Sequence, residues 1–269
     1  MKILSVVVTF FPEEDLLRKN VSAFIDHVDK VLVWENTPKE EKLKYRFIQH
    51  KKVEYCGDGA NSISHALNSA WHYAQENGYD YLLTMDQDSV WENFQLFLKK
   101  TIYSENAPEG IWTPLVIERE LNSDYEKIFQ PITSGMLIRI DLLNMIGGWN
   151  ELFTIDNVDD EFSLRSHKIG CDFYIVRGTR MKQNFGEPET ANFCGYPIVL
   201  TNYTPKRLYH IFRNLVVLIR MYPEQKYIKN NFVSWIKRIF FIVCYEKEKF
   251  NKIKSILSGI KSGMKYTIR

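Results

Sequence analysis

Ile3-Leu-Ser-Val-Val-Val-Thr-Phe10 is a continuous, largely β-branched run stopped by Pro12. It reads as a strand buried on both faces, the kind found in parallel sheets. Asp15 to His27 follows with Leu16, Leu17, Val21, Phe24 and Ile25 at helical spacing, and Val31 to Trp34 is a second short strand ended by Asn36 and Pro38. Strand, helix and strand in succession make a βαβ opening. The alternation continues with a strand at Lys52 to Tyr55, a helix at Ser62 to Asn77 closed by Gly78, and a third buried strand at Tyr81 to Met85. A helix at Trp91 to Ser104, strands near Gly110 to Val116 and Ser134 to Ile140, and a short helix from Leu142 to Ile146 complete the pattern. The expectation is an α/β fold with a mainly parallel central sheet, helices on both faces, and ligands beyond the carboxyl ends of the strands, after Val8, Val33 and Met85.

The 269 residues suffice for one large core or two small ones. An apolar share of 45% with 25% charged residues excludes a disordered or collagen-like chain. The formal net charge of +2 conceals a polarised chain. Thr204 to Arg269 carries 15 Lys/Arg against 3 Asp/Glu, and the residues before it carry 20 against 30. An acidic body with a basic tail suggests that the tail meets phosphates of nucleic acid or of an anionic membrane, or stays solvated. Cys56, Cys171, Cys194 and Cys244 form no C-x-x-C pair and read as reduced thiols of a cytosolic protein. The N-terminus lacks a signal-peptide cleavage site, and the longest apolar stretch, Ile239 to Tyr245, is far short of a membrane span. The six histidines form no metal-ligand spacing, and Walker, dinucleotide and serine-hydrolase motifs are absent.

Three segments carry candidate chemistry. Tyr81-Leu-Leu-Thr-Met-Asp86-Gln-Asp88-Ser89 delivers two acids to the carboxyl end of a buried strand. Buried acids are costly unless paired, and a divalent cation shared with substrate phosphates satisfies them. The competing reading is that Asp86 and Ser89 cap a helix at Trp91. Val158-Asp159-Asp160-Glu161-Phe162-Ser163-Leu164-Arg165 places acids at a helix start, where ionised carboxylates are stabilised and one could act as a general base. There Glu161 and Arg165 can pair at i,i+4. The same pattern also suits an ordinary acidic helix start. Ile146-Gly-Gly-Trp149-Asn-Glu-Leu-Phe153 offers a tight turn beside an aromatic, either a sugar-stacking platform or a core residue.

The order Ser5-Val-Val-Val-Thr9-Phe-Phe-Pro12, Val33-Trp-Glu35-Asn36, Ala66-Leu-Asn68, Leu82-Leu-Thr-Met-Asp86-Gln-Asp88-Ser89, Ser134-Gly135, Gly147-Gly-Trp149-Asn-Glu-Leu-Phe and Asp159-Asp-Glu161-Phe-Ser-Leu-Arg165 resembles the family 2 glycosyltransferases of GT-A fold. Within them it most resembles the rhamnosyltransferase-like branch of bacterial surface polysaccharide synthesis. Tyr209-His-Ile-Phe-Arg213-Asn214 is similar to a stretch that follows the core in that branch. The resemblance implies metal-dependent, inverting transfer of a sugar from a nucleotide diphosphate donor to a saccharide or lipid-linked acceptor. It implies that Thr9, Phe10 and Glu35 hold the base and ribose, that Asp86 and Gln87 face the nucleotide, and that Asp88 binds Mn2+ or Mg2+. It further implies that Asp159 is the catalytic base, with Gly135, Trp149, Glu161 and Arg165 on the acceptor or sugar side.

Three positions depart from the family pattern: Ser62 stands for a glycine, Gln183 for a histidine ahead of Gly186, and Val158 for a glutamate before the base. They leave open a catalytically impaired nucleotide-sugar-binding protein of the same fold. Residues 1–204 are expected to form the nucleotide-sugar-binding and catalytic domain, and 205–269 a basic, aromatic-rich helical extension. That extension either docks at the inner face of the cell membrane, with Trp235, Phe240 and Phe241 toward the acyl boundary, or packs on the catalytic domain or on a second subunit of a homodimer. No nucleic-acid-reading motif supports a nucleic-acid partner.

Overall fold

The computed structural model describes residues 1–183 and 189–268, with the side chains of all of these except residues 42 and 43. It comprises two compact units, Met1–Thr154 with Val158–Asn184, and Ile155–Asn157 with Phe185–Arg269.

The first unit opens as the apolar runs predict. β1 (Ile3–Thr9) is buried at every position and leads through α1 (Glu14–Ser22) to β2 (Lys30–Glu35) and β3 (Val53–Cys56). α2 (Ile63–Glu76) starts at Ser62, whose hydroxyl accepts from the His65 N–H, so the residue that departs from the family glycine serves as an N-cap. β4 (Tyr81–Asp86) follows, then β5 (Ser89–Trp91), α3 (Phe94–Lys100), β6 (Ile111–Leu115), β7 (Tyr125–Ile128), β8 (Leu137–Arg139), α4 (Ile140–Ile146), α5 (Val158–Lys168) and β9 (Phe173–Gln183).

The sheet order is β3-β2-β1-β4-β8-β6-β9-β5, with β7 paired to β9 and helices on both faces. The stretch β3-β2-β1-β4 is parallel, as expected. Beyond it the sheet is mixed: β8 runs antiparallel to β4 and β6, and β9 is parallel to β6 but antiparallel to β5 and β7. β5, β7 and β9 have no counterpart in the sequence reading. β5 and β7 are too short to show a period, and β9 alternates buried and exposed positions only in part. The expected helix from Trp91 is accordingly shorter and starts at Phe94.

The second unit contains the hairpin of β10 (Glu189–Phe193) and β11 (Tyr196–Leu200), followed by α6 (Pro205–Met221), α7 (Lys226–Tyr245) and α8 (Lys249–Lys265). α6 is capped by the Thr204 hydroxyl with Pro205 in its first turn. Leu208, Ile211, Phe212, Leu215, Ile242 and Ile256 form its core. A Cβ on Gly259 or Gly263 would lie within 2.4 Å of the Tyr209 carbonyl oxygen or 2.7 Å of that of Arg213, so these glycines let α8 approach α6 closely. In the same unit Arg207 pairs with Asp156 at 2.9 Å, and the Asn214 amide donates to the carbonyls of Ile155 and Asp156, both at 2.9 Å. Among the described residues no helix is long and apolar enough to cross a membrane.

Candidate functional site

β4 ends in Asp86, and the chain turns through Gln87 and Asp88 into β5 rather than into a helix. Ser89 pairs antiparallel with Gln183. The helix-capping reading of Asp86 and Ser89 therefore does not hold, because Asn93 precedes α3. The acidic turn is fastened from several sides. The buried Asn20 amide on α1 donates to the Asp86 carbonyl at 2.6 Å and to the Ser89 carbonyl. The Asp86 N–H donates to Ser134 Oγ at 2.9 Å, and the Ser134 hydroxyl donates to Ser89 Oγ at 2.8 Å. Gln183 Nε2 donates to Asp86 Oδ2 at 3.1 Å. Burial, followed by the charge of Asp88, pushes the Asp86 carboxyl up to about 7, and the Gln183 hydrogen bond opposes the rise. Burial also raises Asp88.

The ends of β1 and β2 lie beside this turn. The Phe10 N–H donates to Gln87 Oε1 at 2.7 Å and Gln87 Nε2 donates to the Phe10 carbonyl at 3.2 Å, so the Gln87 side chain extends the pairing of β1 by one residue. Phe10 and Phe11 stay exposed, stacked edge to face at 4.6 Å. The Thr9 hydroxyl donates to the Trp34 carbonyl at 3.1 Å, which joins the two strand ends. Glu35 is buried at 1% exposure; Arg46 holds its Oε2 at 3.0 Å, whereas its Oε1 and the Oδ1 of Asn36 have no hydrogen-bond partner among the described residues. Two buried acceptors beside exposed aromatics suit a ligand that offers N–H groups and a flat ring.

Asp159 sits in the first turn of α5, with its Oδ1 accepting from the Asp160 N–H at 3.0 Å. Burial and the neighbouring Asp160 push it up to about 7, backbone N–H groups oppose this, and the charge of Asp86 adds to it. A helix start by itself favours the ionised acid; here burial outweighs the backbone dipoles and poises Asp159 near neutrality instead. The charge of Asp88 acts on Asp86, and that of Asp86 adds a small rise to Asp159, so the two acidic segments are within electrostatic reach of each other.

The remaining expected residues support this arrangement from behind. Arg165 makes a two-pronged pair with the buried Glu161, at 3.0 and 2.9 Å, as the i,i+4 spacing allows. It also donates to the carbonyls of Ile146 at 2.6 Å and Gly148 at 2.8 Å, tying α5 to the glycine turn. Trp149 is buried and stacks on Phe162 at 4.7 Å, so its ring belongs to the core and one face is closed to a sugar. The Trp149 backbone N–H donates to Asn68 Oδ1 at 2.7 Å, and Asn68 Nδ2 donates to the Trp149 carbonyl at 2.8 Å. Gly148, at φ 66°, has no room for a Cβ, which would meet Trp71 at 2.4 Å. Gly135, at φ 83°, donates its N–H to the Thr84 carbonyl at 2.6 Å and so fastens the 134–135 turn to β4.

Asn20 and the hydroxyl relay of Ser134 and Ser89 were not foreseen as parts of this site. The signal for Asn20 was present: it lies between Leu16, Leu17, Val21 and Phe24 on the apolar face of α1, where a polar residue needs a partner. Gly186 lies outside the described residues.

Asp86 and Asp88 fit a small hard cation. Both are oxygen donors, and both are raised by burial that a positive charge would offset. Among the described residues no group of three or more His, Cys, Asp or Glu side chains could hold a metal. Such a pair matches the Mg2+ or Mn2+ mode in which one or two carboxylates share the ion with substrate phosphates.

No protein-family model matches the chain. In sequence it is similar to the dTDP-rhamnosyl transferase RfbF of Shigella flexneri, at 27% identity over 245 residues, covering 81% of this chain and 80% of RfbF. In structure it is similar to GalNAc-T7, solved with UDP, GalNAc and Mn2+, with a TM-score of 0.59 at 12% identity over 82% of this chain. The chain spans about half, 48%, of the GalNAc-T7 chain. It is also similar to residues 1–349 of S. aureus TarS, solved with UDP-GlcNAc, with a TM-score of 0.52 at 13% identity over 98% of this chain and 81% of that one. The chain thus has the GT-A fold, an α/β sheet with a helical C-terminal extension, and is related in sequence to a nucleotide-sugar transferase.

Proposed function

We propose that the protein is an inverting glycosyltransferase that moves a sugar from a nucleotide diphosphate donor to a saccharide or lipid-linked acceptor, at the inner face of the membrane in bacterial surface polysaccharide synthesis. What supports this reading is the buried acid pair Asp86 and Asp88 at the end of β4 in a GT-A fold, with the charge of Asp86 acting weakly on the raised carboxyl of Asp159. RfbF, by its name a dTDP-rhamnosyl transferase, favours dTDP-rhamnose as the donor.

The exposed Phe10 supports the base, with Thr9 and the buried carboxyl of Glu35 behind it. Gln87 and Thr9 position these groups through backbone contacts. Asp86 and Asp88 would hold Mn2+ or Mg2+, which when bound would supply positive charge to stabilise the leaving diphosphate. Asp159 takes the proton from the acceptor hydroxyl as the oxygen attacks the anomeric carbon. The new glycosidic bond forms as the bond to the phosphate oxygen breaks, and the nucleoside diphosphate departs. One displacement from the opposite side inverts the anomeric centre. Glu161 and Arg165 are positioning residues for α5, and Trp149 and Gly135 shape the surrounding core.

A thermal-shift screen of nucleotide sugars with and without Mn2+ tests the donor, since a ligand that binds the native state raises its melting temperature. Stabilisation by a dTDP-sugar with Mn2+, and release of free nucleoside diphosphate on addition of acceptor, are expected. Stabilisation without any release would identify a sugar-nucleotide-binding protein instead.

A further inference from the structure

The second unit presents an apolar and basic surface on α7 and α8. On α7, Val233, Ile236, Phe240 and Val243 are exposed at spacings of three, four and three residues, which align them in one stripe. On α8, Phe250, Leu257 and Met264 are exposed at intervals of seven, with exposure as high as 93% at Phe250. Lys254 and Lys261 are exposed and lie on the same side of α8, one turn along from Phe250 and Leu257. The aromatics that the sequence alone suggests for such a surface divide differently in the structure. Trp235 packs against Phe212 at 5.9 Å and Phe241 against Phe193 at 5.7 Å, whereas Phe240 has one edge against Phe193 at 5.6 Å and remains half exposed.

Charge decides the occupant. α7 and α8 together carry nine Lys/Arg and no Asp or Glu. Lys252 is buried against Glu246 at 2.7 Å and is matched internally. A two-fold contact of this surface with that of a second copy would set two basic, acid-free faces against each other. An anionic bilayer offers the opposite: negative headgroups for the lysines and an acyl boundary for the apolar side chains. We infer that the exposed faces of α7 and α8 form a docking surface for an anionic lipid bilayer, with Ile236, Phe240, Phe250 and Leu257 entering the interface and Lys254 and Lys261 meeting the headgroups.

The test uses the full chain and needs no transfer, so its failure leaves the transferase reading untouched. Sedimentation with phosphatidylglycerol-containing vesicles is compared with sedimentation with phosphatidylcholine vesicles, at low and high salt. Binding to the anionic vesicles alone, weakened by salt, is expected. The double variant Lys254→Gln/Lys261→Gln should lower partitioning on the order of twentyfold, from about fivefold per lysine near a charged surface. Ile236→Asp/Leu257→Asp should abolish it, and because both side chains are about half exposed or more the variant should keep the unmodified melting temperature. No binding to anionic vesicles, equal binding to neutral ones, or binding unchanged in both variants would overturn the inference. So would tighter retention of double-stranded DNA than of vesicles, or a dimer in equilibrium sedimentation that Phe240→Asp dissociates.

Discussion

Gln183 donates an amide hydrogen to Asp86 Oδ2 at 3.1 Å from β9, the strand paired with β5, and this neutral contact opposes the upward shift of the Asp86 pKa caused by burial and Asp88. Removing it in Gln183→Ala should push Asp86 above about 7. At neutral pH fewer molecules would then carry the ionised pair, and Mn2+ should bind about two- to tenfold more weakly. Mn2+ titration followed by electron paramagnetic resonance over a range of pH should show the binding midpoint moving to higher pH in the variant. An unmoved midpoint would separate Gln183 from the ionisation of the pair.

The two carboxyl groups raised to about 7 also fix the sign of a stability effect. Asp86 and Asp159 are easier to protonate in the folded chain than in the unfolded one, so their contribution is present below the unfolded value of 3.8 and is lost as pH rises through about 7. Asp58, Glu92 and Asp141 are lowered and act oppositely, losing their contribution in acid. The melting temperature of the metal-free protein should therefore fall between about pH 5 and pH 8, and Asp86→Asn should flatten that fall. Scanning calorimetry across this range, with and without Mn2+, checks both statements, the cation being expected to restore stability at the alkaline end.

If Asp159 accepts the acceptor proton, kcat/KM must rise with pH as its carboxyl ionises, with a midpoint near the value of about 7 set by burial and Asp160. The pH profile should have a limb of slope one below that midpoint. A profile flat from pH 5 to 8 would remove Asp159 from the proton transfer.

Asn20 closes the acidic turn with one side-chain amide, donating to the carbonyls of both Asp86 and Ser89. Asn20→Ala strands two carbonyl groups and should cost about 1–3 kcal/mol of stability in urea unfolding. It should also weaken metal-dependent donor binding, because the backbone that carries Asp86 and Asp88 is no longer fixed. A variant with unchanged midpoint and affinity would show that the turn holds without this latch.

Much of the first unit is legible in the sequence because its strands are continuous apolar runs. Ile3–Thr9 and Tyr81–Asp86 each have only one reading, and the acids after the second fall where a parallel sheet exposes its ligands. The mixed half is not legible. β5 is three residues long and is held by its pairing with β9, a partner far away in sequence. Without that partner, Ser89 looks like a helix cap. Spacing identified the Glu161–Arg165 pair, but it could not show that the guanidinium also holds the carbonyls of Ile146 and Gly148. The protonation of Asp159 was read from its place in α5, a local rule that burial overrides. In the tail, composition announces a basic aromatic surface, and only packing separates the half-buried Trp235 side from the exposed stripe of α7.

Paired measurements on Asp88→Asn and Asp159→Asn test most directly whether the two acidic segments serve opposite sides of one reaction. Calorimetry of donor binding with Mn2+ and assay of transfer should show Asp88→Asn losing metal-dependent binding. Asp159→Asn should bind donor normally while transfer falls by about 10²–10⁴-fold. Full transfer by the Asp159→Asn protein, or undiminished metal-dependent binding by the Asp88→Asn protein, would contradict the account.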